Sequence, residues 1–514
     1  RPPLVEAPAP AASPKWSQAY SRACSGSITA PVVSADGASV AFCTRMFDAK
    51  NGTFAGVLPI GVEAFVPGGR VVSNDYAGHW QLGRPDGPAE SSVPGSTTQT
   101  FALSPGGRLM ATVEGNSIVM RTLDPLKEVA DIDIGQVWPE PMLGFLADGR
   151  AIALVPRKCV TKRGKDKHRS WTKTECGSKS LMVVEGGKLV ELRDASDLLS
   201  IAFAAGGTRA VIANRDGERA VIQLPGGETV AKLPSLVTDP EDYEIPPMAL
   251  DTGGKRVAFV DEGSVVVAAL EGSTVKELAR MDGADPTGLV FSPDATTLFV
   301  GRNDRMIALR EGEPERPIAM PRYDVTAPVG FEVFHARCPM DGEPEETGND
   351  DLCRERQRLG ADGGGLFIEG TEMMLPEGHV KAFIDRKSYI DVFVTAVDAA
   401  EYPEKNDTAW AQSIVKASVW SGSETGVLKT IKMRGSRAFD YAEFWRDGCD
   451  PKDIYVSVFE RGGLLYRVRI EVPPEHPQKE VTPLIKSFVD EPFGSHDLAA
   501  HAFAKPPPAP DGPC

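Results

Sequence analysis

The sequence has no long hydrophobic run and no excess of positive charge, and each absence excludes a class of protein. No apolar stretch approaches the roughly 18 residues that a membrane-spanning helix needs, so we expect no transmembrane segment. The formal net charge of the 514 residues is −16. Because nucleic-acid binding depends on Lys and Arg that replace phosphate counterions, we also expect no nucleic-acid partner.

Sequence signatures of catalysis and metal binding are missing as well. There is no G-x-S-x-G, Walker or G-x-G-x-x-G pattern, no C-x-x-C pair and no H-E-x-x-H. The seven histidines are not spaced as metal ligands; they are His79, His168, His335, His379, His476, His496 and His501. We therefore predict a protein that is not an enzyme and that carries no cofactor and no metal.

The first 330 residues almost entirely lack the 3.6-residue period of a helix, and a strand–turn–strand unit recurs in its place. The seven instances are VVSADGASVAFC, AFVPGGRVVS, FALSPGGRLMATV, GFLADGRAIALV, IAFAAGGTRAVIA, MALDTGGKRVAFV and LVFSPDATTLFV. Their turns fall at Gly37, Gly68, Gly106, Gly149, Gly206, Gly253 and Asp294, in steps of 31, 38, 43, 57, 47 and 41 residues. A period of about 40–45 residues is typical of one four-stranded blade of a β-propeller.

Three of these units carry a resemblance. FSPDATTLFV, LSPGGRLMATV and VSADGASVAF resemble the WD-like propeller repeats of bacterial exported proteins, in which a strand ending in Ser-Pro-Asp-Gly opens the blade. The resemblance covers residues 28–313 and is degenerate, since no unit has both Ser-Pro and Asp-Gly. It implies a fold and little about activity, because propellers host many functions.

These observations predict an all-β chain that forms a single propeller of eight four-stranded antiparallel blades, with seven to nine allowed. We assign strands at 389–397, 413–420, 453–459 and 464–472 to the last blades; a separate C-terminal β domain is the alternative. The predicted domains are a Pro-rich leader at 1–27, the propeller at 28–472 with insertions at 157–179 and 338–353, and a Pro-rich extended tail at 473–514. The leader is what a spacer behind a cleaved export signal would look like.

The eight cysteines fall mostly in pairs that are close in sequence. Roughly a hundred pairings are possible, and short loops favour the following set: Cys24–Cys43, Cys159–Cys176, Cys338–Cys353 and Cys449–Cys514. An even count with local pairing is typical of an oxidising compartment. We therefore expect an exported protein that is periplasmic, on the outer cell surface or extracellular; free thiols in a reducing cytosol are the alternative.

The most unusual segment is basic. Residues 157–179 hold nine Lys or Arg against Asp166 and Glu175, in a chain of net charge −16. The flanking strands predict a hairpin whose base the two cysteines close. A finger that contacts an acidic protein partner would use Lys162, Arg163, Lys165, Lys167, Arg169 and Trp171, with the Trp as an aromatic anchor. The alternative is a solvated loop.

An acidic segment, DGEPEETGNDD at 341–351, is a weaker candidate site. Its calcium candidates are Asp341, Glu343, Asp350 and Asp351, but their spacing departs from that of a calcium loop, so a solvated acidic loop is favoured. The predicted inner strands of the blades carry almost no ionisable group. The leading function is thus a non-enzymatic binding or scaffold protein of a cell-envelope or extracellular assembly; the alternative is a propeller-fold hydrolase or lyase with its site on blade-connecting loops.

Overall fold

Strands dominate the structure, a computed structural model that is all-β, with 61% of the described residues in strands and 7% in helices. It describes residues 16–23, 30–58, 62–75, 78–85, 87–95, 100–135, 141–156, 159–165, 170–176, 179–236, 246–282, 286–302, 305–313, 332–334, 366–368, 371–373, 379–385, 390–418, 431–445, 452–473, 478–490 and 503.

Within the described residues, seven four-stranded antiparallel sheets follow one another along the chain, and we call them blades 1 to 7. Blade 1 comprises β2 (Val32–Val33), β3 (Ser39–Phe42), β4 (Arg45–Asp48) and β5 (Phe54–Val57), and blade 2 comprises β6 (Val62–Val66), β7 (Arg70–Asn74), β8 (His79–Gly83) and β9 (Ala89–Pro94). Blade 3 comprises β10 (Phe101–Leu103), β11 (Leu109–Glu114), β12 (Ser117–Leu123) and β13 (Leu126–Asp133), and blade 4 comprises β14 (Met142–Phe145), β15 (Ala151–Pro156), β18 (Lys179–Glu185) and β19 (Lys188–Asp194). Blade 5 comprises β20 (Leu198–Phe203), β21 (Arg209–Asn214), β22 (Arg219–Gln223) and β23 (Thr229–Leu233), and blade 6 comprises β24 (Ala249–Leu250), β25 (Arg256–Asp261), β26 (Ser264–Glu271) and β27 (Thr274–Met281). Blade 7 comprises β28 (Gly288–Phe291), β29 (Thr297–Gly301), β30 (Arg305–Glu311) and, as its fourth strand, β1 (Trp16–Ala23).

The all-β fold of four-stranded antiparallel blades, consistent with a β-propeller, confirms the predicted fold class. Each of the seven turn-marked units lies in one blade, and seven is the lower end of the predicted range. The first strands of neighbouring blades contact one another in blades 1 and 2 and again from blade 3 through blade 7.

The chain after blade 7 forms a sheet of a different kind. Seven strands lie in the order β31 (Glu332–Phe334), β34 (His379–Asp385), β35 (Ile390–Asp398), β39 (Leu464–Val472), β38 (Lys452–Arg461), β37 (Ala438–Trp445) and β36 (Lys432–Gly435). Two hairpins, β16 (Cys159–Lys165) with β17 (Ser170–Cys176) and β32 (Leu366–Ile368) with β33 (Thr371–Met373), are separate two-stranded sheets. Three of the four segments predicted as strands of the last blades, at 389–397, 453–459 and 464–472, therefore fall in one seven-stranded sheet.

Contacts group the chain into two compact units. One consists of Arg1–Ser21, Val93–Arg302 and Ile307–Arg316, and contains blades 3 to 6 and most of blade 7. The other consists of Arg22–Ser92, Asn303–Met306 and Pro317–Cys514, and contains blade 1, most of blade 2 and the seven-stranded sheet.

The strand predicted at 413–420 is wrong, because residues 413–418 lie in helix α1 (Asp407–Ser418); residues 419 and 420 lie outside the described residues. The Oδ1 atom of Asn406 accepts a hydrogen bond from the Ala409 amide at 3.0 Å, as an N-cap does. Trp410, Ile414 and Val415 are buried and are spaced as one face of a helix. This spacing explains why the segment is helical despite its β-branched residues.

The described parts of the predicted leader and of the predicted extended tail form regular structure. Residues 16–23, placed in the leader, form β1, in which Trp16 and Tyr20 are buried. In the tail, α2 (Gln478–Ile485) continues as a π-helical turn, Lys486–Asp490. Val481, Ile485, Phe488 and Val489 are buried in one core with β37, β38 and β39. Apolar residues at helical spacing thus bury themselves against the sheet despite the surrounding prolines.

The second strand of a blade is apolar on both faces because each face packs in a different core. In β25, Val257 and Phe259 lie in a core with residues of blade 5, such as Val211. Ala258, between them, lies in a core with Leu298 of blade 7. Neighbouring blades bury both faces of the strand, which is why its sequence does not alternate between apolar and polar.

A serine before the turn fixes the strand–turn–strand unit in blades 1 and 7. The Ser292 hydroxyl donates to Asp294 at 2.6 Å and accepts from the Thr297 amide at 3.0 Å. In blade 7 the residue with positive φ is Ala295, at 60°. Glycine takes this position in other blades, for example Gly37 at 70°, because a Cβ atom disfavours that conformation.

Candidate functional sites

The basic insertion of blade 4 forms an antiparallel hairpin. It leaves the blade between β15 and β18, where Pro156 pairs with Lys179, and consists of β16 and β17 paired along seven residues each. The backbone is therefore the hairpin that the flanking strands predicted. Among the predicted partner-binding residues, Lys162, Arg163 and Lys165 lie on β16, Trp171 lies on β17, and Lys167 and Arg169 lie outside the described residues.

The two strands of the hairpin concentrate positive charge. β16 and β17 together contain four cations, the three on β16 and Lys173, against the single carboxylate of Glu175. The rest of the chain is acidic enough to give a net charge of −16. The hairpin is thus a basic segment held in an ordered antiparallel register.

Two of the predicted disulfides can be compared with the structure. Cys43 is disulfide-bonded, while Cys24 lies outside the described residues. Cys159 lies directly opposite Cys176 in the hairpin register, and opposed residues of an antiparallel pair have Cα atoms about 4.5–5.5 Å apart, within the range that a disulfide spans. Outside the described residues lie Cys338, Cys353, Cys449 and Cys514, so the proposed pairing stays a prediction.

The other sequence-predicted candidates lie mostly outside the described part of the chain. The calcium candidates Asp341, Glu343, Asp350 and Asp351 all do. His379 lies in β34, and His79 is the histidine whose side chain is described. Its Nδ1 atom lies 3.1 Å from an Asp75 carboxylate oxygen, a surface contact within blade 2.

Sequence reasoning missed a carboxylate on the first strand of blade 2. Glu63 lies at an irregularity of β6, where the register shifts between Val62 and Ala64, and such bulges re-aim side chains. Burial raises the pKa of Glu63 to about 7, and no hydrogen bond or ion pair is found for it among the described residues. The turn-marked unit of blade 2 was taken to begin at Ala64, one residue later, so Glu63 was not considered.

A cavity of about 250 Å³ lies beside the outer strands of blade 5. Ile212, Ala220 and Ile222 form its apolar wall, while Arg193, Asp197 and Lys232 are among its charged lining residues. Arg193 is hydrogen-bonded to the backbone, since its Nη1 atom donates to the Gly227 carbonyl at 2.9 Å. Charges of both signs line this space, so it favours no single ligand charge.

Two buried arginines converge on one buried glutamate within the second compact unit. Glu401 follows β35 in a 3₁₀ turn (Ala399–Glu401) and is 1% exposed. Its Oε2 atom lies 3.2 Å from Arg45 Nη2, and its Oε1 atom lies 3.8 Å from Arg22 Nε. Arg45 also donates to the Tyr402 hydroxyl at 2.6 Å. Burial raises the pKa of Glu401, and the Arg45 and Arg22 charges oppose that rise.

Arg22 is held by backbone as well as by side chains. Its Nη2 atom donates to the Asn51 carbonyl at 3.1 Å, its Nε donates to the Gly52 carbonyl, and its Nη1 lies 3.1 Å from Asp398. Arg45 lies over the rings of Phe47 and Phe54, at 4.9 and 5.1 Å from their centroids. This buried cluster joins segments that are far apart in the chain, which is typical of residues that stabilise the fold.

Within the residues that the structure describes, no group of three or more His, Cys, Asp or Glu side chains is arranged to hold a metal ion. Neither α1 nor α2, nor any other helical turn in the described part of the chain, is long and apolar enough to cross a membrane. No protein-family model matches the sequence, and no curated protein is detectably similar to it.

Proposed function

We propose that this protein is an exported, non-enzymatic β-propeller that binds a protein partner, acidic at the contact, through the basic hairpin of blade 4. The observation that carries the proposal is the antiparallel pairing of β16 with β17, two strands whose sequences contain four Lys or Arg residues in a chain of net charge −16. A hairpin extended beyond the blade gains no stability from like charges. Binding to a partner of opposite charge explains why the chain carries the basic insertion.

Export is supported by the cysteines. Cys43 is disulfide-bonded, and Cys159 and Cys176 are opposed in the hairpin. Disulfides persist in oxidising compartments, and a link across the base of the hairpin would lower the entropy lost when the hairpin binds. A binding role is favoured over catalysis because Glu63 is the single ionisable residue on the described first strands of the blades, and acid–base chemistry commonly needs a pair of such groups.

The experiment replaces Lys162, Arg163, Lys165 and Lys167 with Ser and uses the variant and the wild type as baits for the envelope and secreted fractions of the native source. We expect the variant to lose the partner that the wild type captures, and the wild-type capture to weaken as salt screens charges beyond about 8 Å. The free energy of unfolding should change by less than about 0.5 kcal/mol.

The matched control removes the same charge elsewhere. Lys127, Lys188, Lys255 and Lys276 are exposed lysines on blades 3, 4 and 6, and their replacement with Ser should leave capture unchanged. Equal loss in both variants would assign the binding to net charge rather than to the hairpin. Undiminished capture by the hairpin variant would overturn the proposal.

A further inference from the structure

The cavity beside blade 5 lies against one face of that sheet, and the strand register orders its lining. Ile212 lies opposite Ala220, and Ala220 lies opposite Lys232, so these residues form one row across β21, β22 and β23. Because every second residue of a strand shares a face, Ile222 follows Ala220 on this face and Glu218 precedes it. All five residues line the cavity. Its wall is therefore apolar along β21 and β22, with charged residues at its margins.

Both lining carboxylates lie at one end of this wall. The Glu218 carbonyl accepts a hydrogen bond from the Asn214 amide at 2.8 Å, at the turn that joins β21 to β22. The Asp197 carbonyl accepts from the Arg215 amide at 2.9 Å, one residue further along the same turn. We call this end of the cavity, with Asp197 and Glu218, the carboxylate end.

A guanidinium group lies at the opposite end. Arg193 extends from β19 of blade 4, and its Nη1 atom donates to the carbonyl of Gly227, in the turn that joins β22 to β23. Gly227 has a positive φ of 82°, and a Cβ atom there would lie 2.6 Å from Arg193 Nη1, so glycine leaves the space that the guanidinium occupies. The two turns lie at opposite ends of β22, and Glu218 to Ile222 spans roughly 13 Å of strand. The cavity thus has carboxylates at one end and a guanidinium at the other, with Lys232 beside its middle.

These charges do not neutralise one another. Within residues 179–236, which contain the whole cavity, no ion pair joins the two cations Arg193 and Lys232 to either residue of the carboxylate end. The third lining cation, Arg219, turns to blade 6, where its guanidinium lies 4.7 Å from the Phe259 ring centroid. Side chains of opposite charge that line one space and remain unpaired match a ligand that carries both charges, one at each end.

We propose that this cavity binds a small zwitterion of dipeptide size with an apolar side chain. Its ammonium group lies at the carboxylate end, and its carboxylate contacts Arg193. Its apolar side chain packs on Ile212, Ala220 and Ile222. The site uses no residue of the basic hairpin, so neither proposal depends on the other.

The size of the cavity selects a dipeptide. Its volume of about 250 Å³ equals that of about eight water molecules in the liquid, and it is smaller than the pockets that hold drug-sized ligands. Two extended residues span roughly 7 Å, and the long side chains of Arg193 and Glu218 cover the remaining distance between the two ends. A single α-amino acid carries both charges on one carbon atom and cannot reach both ends, and a longer peptide exceeds the volume.

The test titrates alanyl-leucine into the full-length protein and follows binding by saturation-transfer NMR, which detects weak affinity. The matched probes are N-acetylated alanyl-leucine, alanyl-leucine amide and free leucine. We expect alanyl-leucine to bind most tightly, because each blocked terminus loses one charge contact. Loss of one partly exposed ion pair corresponds to a weakening of about threefold, and free leucine should bind more weakly than the dipeptide.

Two variants assign the two ends of the cavity. Arg193→Gln should weaken binding of alanyl-leucine by about threefold and remove most of the difference between the free peptide and its amide. Asp197→Asn with Glu218→Gln should instead remove the difference between the free peptide and its acetylated form. Lys188→Gln and Asp216→Asn are the matched controls, because these exposed charges of blades 4 and 5 do not line the cavity; both should leave every affinity unchanged.

A further variant fills the space. Ala220→Leu places a larger side chain in the apolar wall and should abolish binding of alanyl-leucine. Thermal unfolding checks that each variant folds, and if Ala220→Leu does not, the charge variants decide the outcome by themselves.

Three outcomes would overturn the inference. Blocked peptides that bind as tightly as alanyl-leucine would exclude a zwitterion. Equal weakening by Arg193→Gln and by the Lys188→Gln control would exclude this cavity as the site. No binding of alanyl-leucine by the wild type would show that the lining charges are ordinary surface charges. Partner capture by the basic hairpin would stand in each case.

Discussion

At the scale of single residues, one short side chain before the turn explains why the repeat is recognisable in some blades and blurred in others. Ser34 donates to Asp36 at 2.6 Å and accepts from the Ser39 amide at 2.9 Å. The hydrogen bonds from Ser34 and from the Ala38 amide hold the pKa of Asp36 below its usual value. In blade 6 the carboxylate of Asp251 accepts instead from the amide of Lys255 in the turn and from the amide of Arg256, the first residue of the second strand.

Blades 4 and 5 have no such side chain, because Leu146 and Ala204 stand at the same position. Their turns are closed by backbone hydrogen bonds, from the Gly149 amide to the Leu146 carbonyl and from the Gly207 amide to the Ala204 carbonyl at 2.9 Å each. In blade 4 the Asp148 carboxylate also accepts from the Arg150 amide at 3.0 Å. The Ser-Pro-Asp-Gly pattern is therefore one of several ways to satisfy the same turn, and its degeneracy has a structural cause.

Glu63 yields a prediction at the same scale. Its folded-state pKa of about 7 exceeds the ordinary value of 4.5, so the folded protein favours the protonated carboxyl. Stability is then fully present below about pH 4.5 and is lost as pH rises through about 7. Glu63→Gln should raise the free energy of unfolding by about 1–3 kcal/mol near pH 8 and have little effect near pH 5.

Chemical unfolding of wild type and variant across this pH range measures the difference. Glu128→Gln, at an exposed glutamate of β13, is the control and should leave the free energy of unfolding unchanged across this range. A Glu63→Gln effect that does not depend on pH would show that the carboxyl is ionised in the folded protein, contrary to the buried environment described.

At the scale of elements, hairpin-linked strands could be predicted from the sequence and isolated elements could not. The turns and the strands that flank them are local, so Gly and Asp-Gly at the turns between apolar strands mark them. The hairpin of blade 4 was predictable for the same reason. By contrast β1 pairs with β30, almost 300 residues later, and no pattern within residues 16–23 predicts that pairing.

Helix α1 was missed for a different reason. Ile414 and Val415 are β-branched and favour a strand by propensity, whereas the buried spacing with Trp410 is helical. Among the candidate site residues, the ligand-like charges of the hairpin were visible as composition. Which residue pairs with which across the two strands depends on the exact register, which composition does not contain.

The role of β1 gives the element-scale prediction. Trp16 is 4% exposed, packs edge-on against Phe291 with ring centroids 6.5 Å apart, and has the Arg256 guanidinium 5.4 Å from its ring centroid. Trp16→Ala should lower the free energy of unfolding by about 3–5 kcal/mol, because it leaves a large cavity beside the strand that completes blade 7.

Thermal and chemical unfolding measure this loss. Val129→Ala, at an apolar residue of β13 that is 53% exposed, is the matched control and should cost less than about 0.5 kcal/mol. If Trp16→Ala cost no more than this control, β1 would contribute little to blade 7.

At the scale of the whole molecule, the second compact unit combines segments from both ends of the chain. Blade 1 and most of blade 2 belong to it together with the seven-stranded sheet. The buried cluster of Arg22, Arg45 and Glu401 shows how this happens: the end of β1, the third strand of blade 1 and the turn after β35 share one set of ion pairs. The tilted contact of Phe54 with Tyr402, at 5.7 Å, adds apolar packing beside it.

This cluster gives the last prediction. Glu401→Gln removes the charge that faces two buried guanidinium groups, and uncompensated buried charge is costly. We expect a loss of about 3–5 kcal/mol in the local stability of the second unit. Asp398→Asn is the matched control, because Asp398 also pairs with Arg22 but its side chain is 45% exposed; its loss should stay below about 1 kcal/mol.

Hydrogen exchange read by mass spectrometry is the appropriate measurement, since a chain with two compact units need not unfold in a single transition. In Glu401→Gln, amides of β4, β5 and residues 390–402 should exchange faster, while those of blade 6 should keep the wild-type rate. Exchange that accelerates equally in blade 6 would show that the cluster stabilises the whole chain rather than the second unit. Unchanged exchange at β4 would show that the Tyr402 hydroxyl and the rings of Phe47 and Phe54 stabilise the Arg45 charge sufficiently by themselves. The packing of blade 1 against the turn after β35 would then not depend on the ion pair.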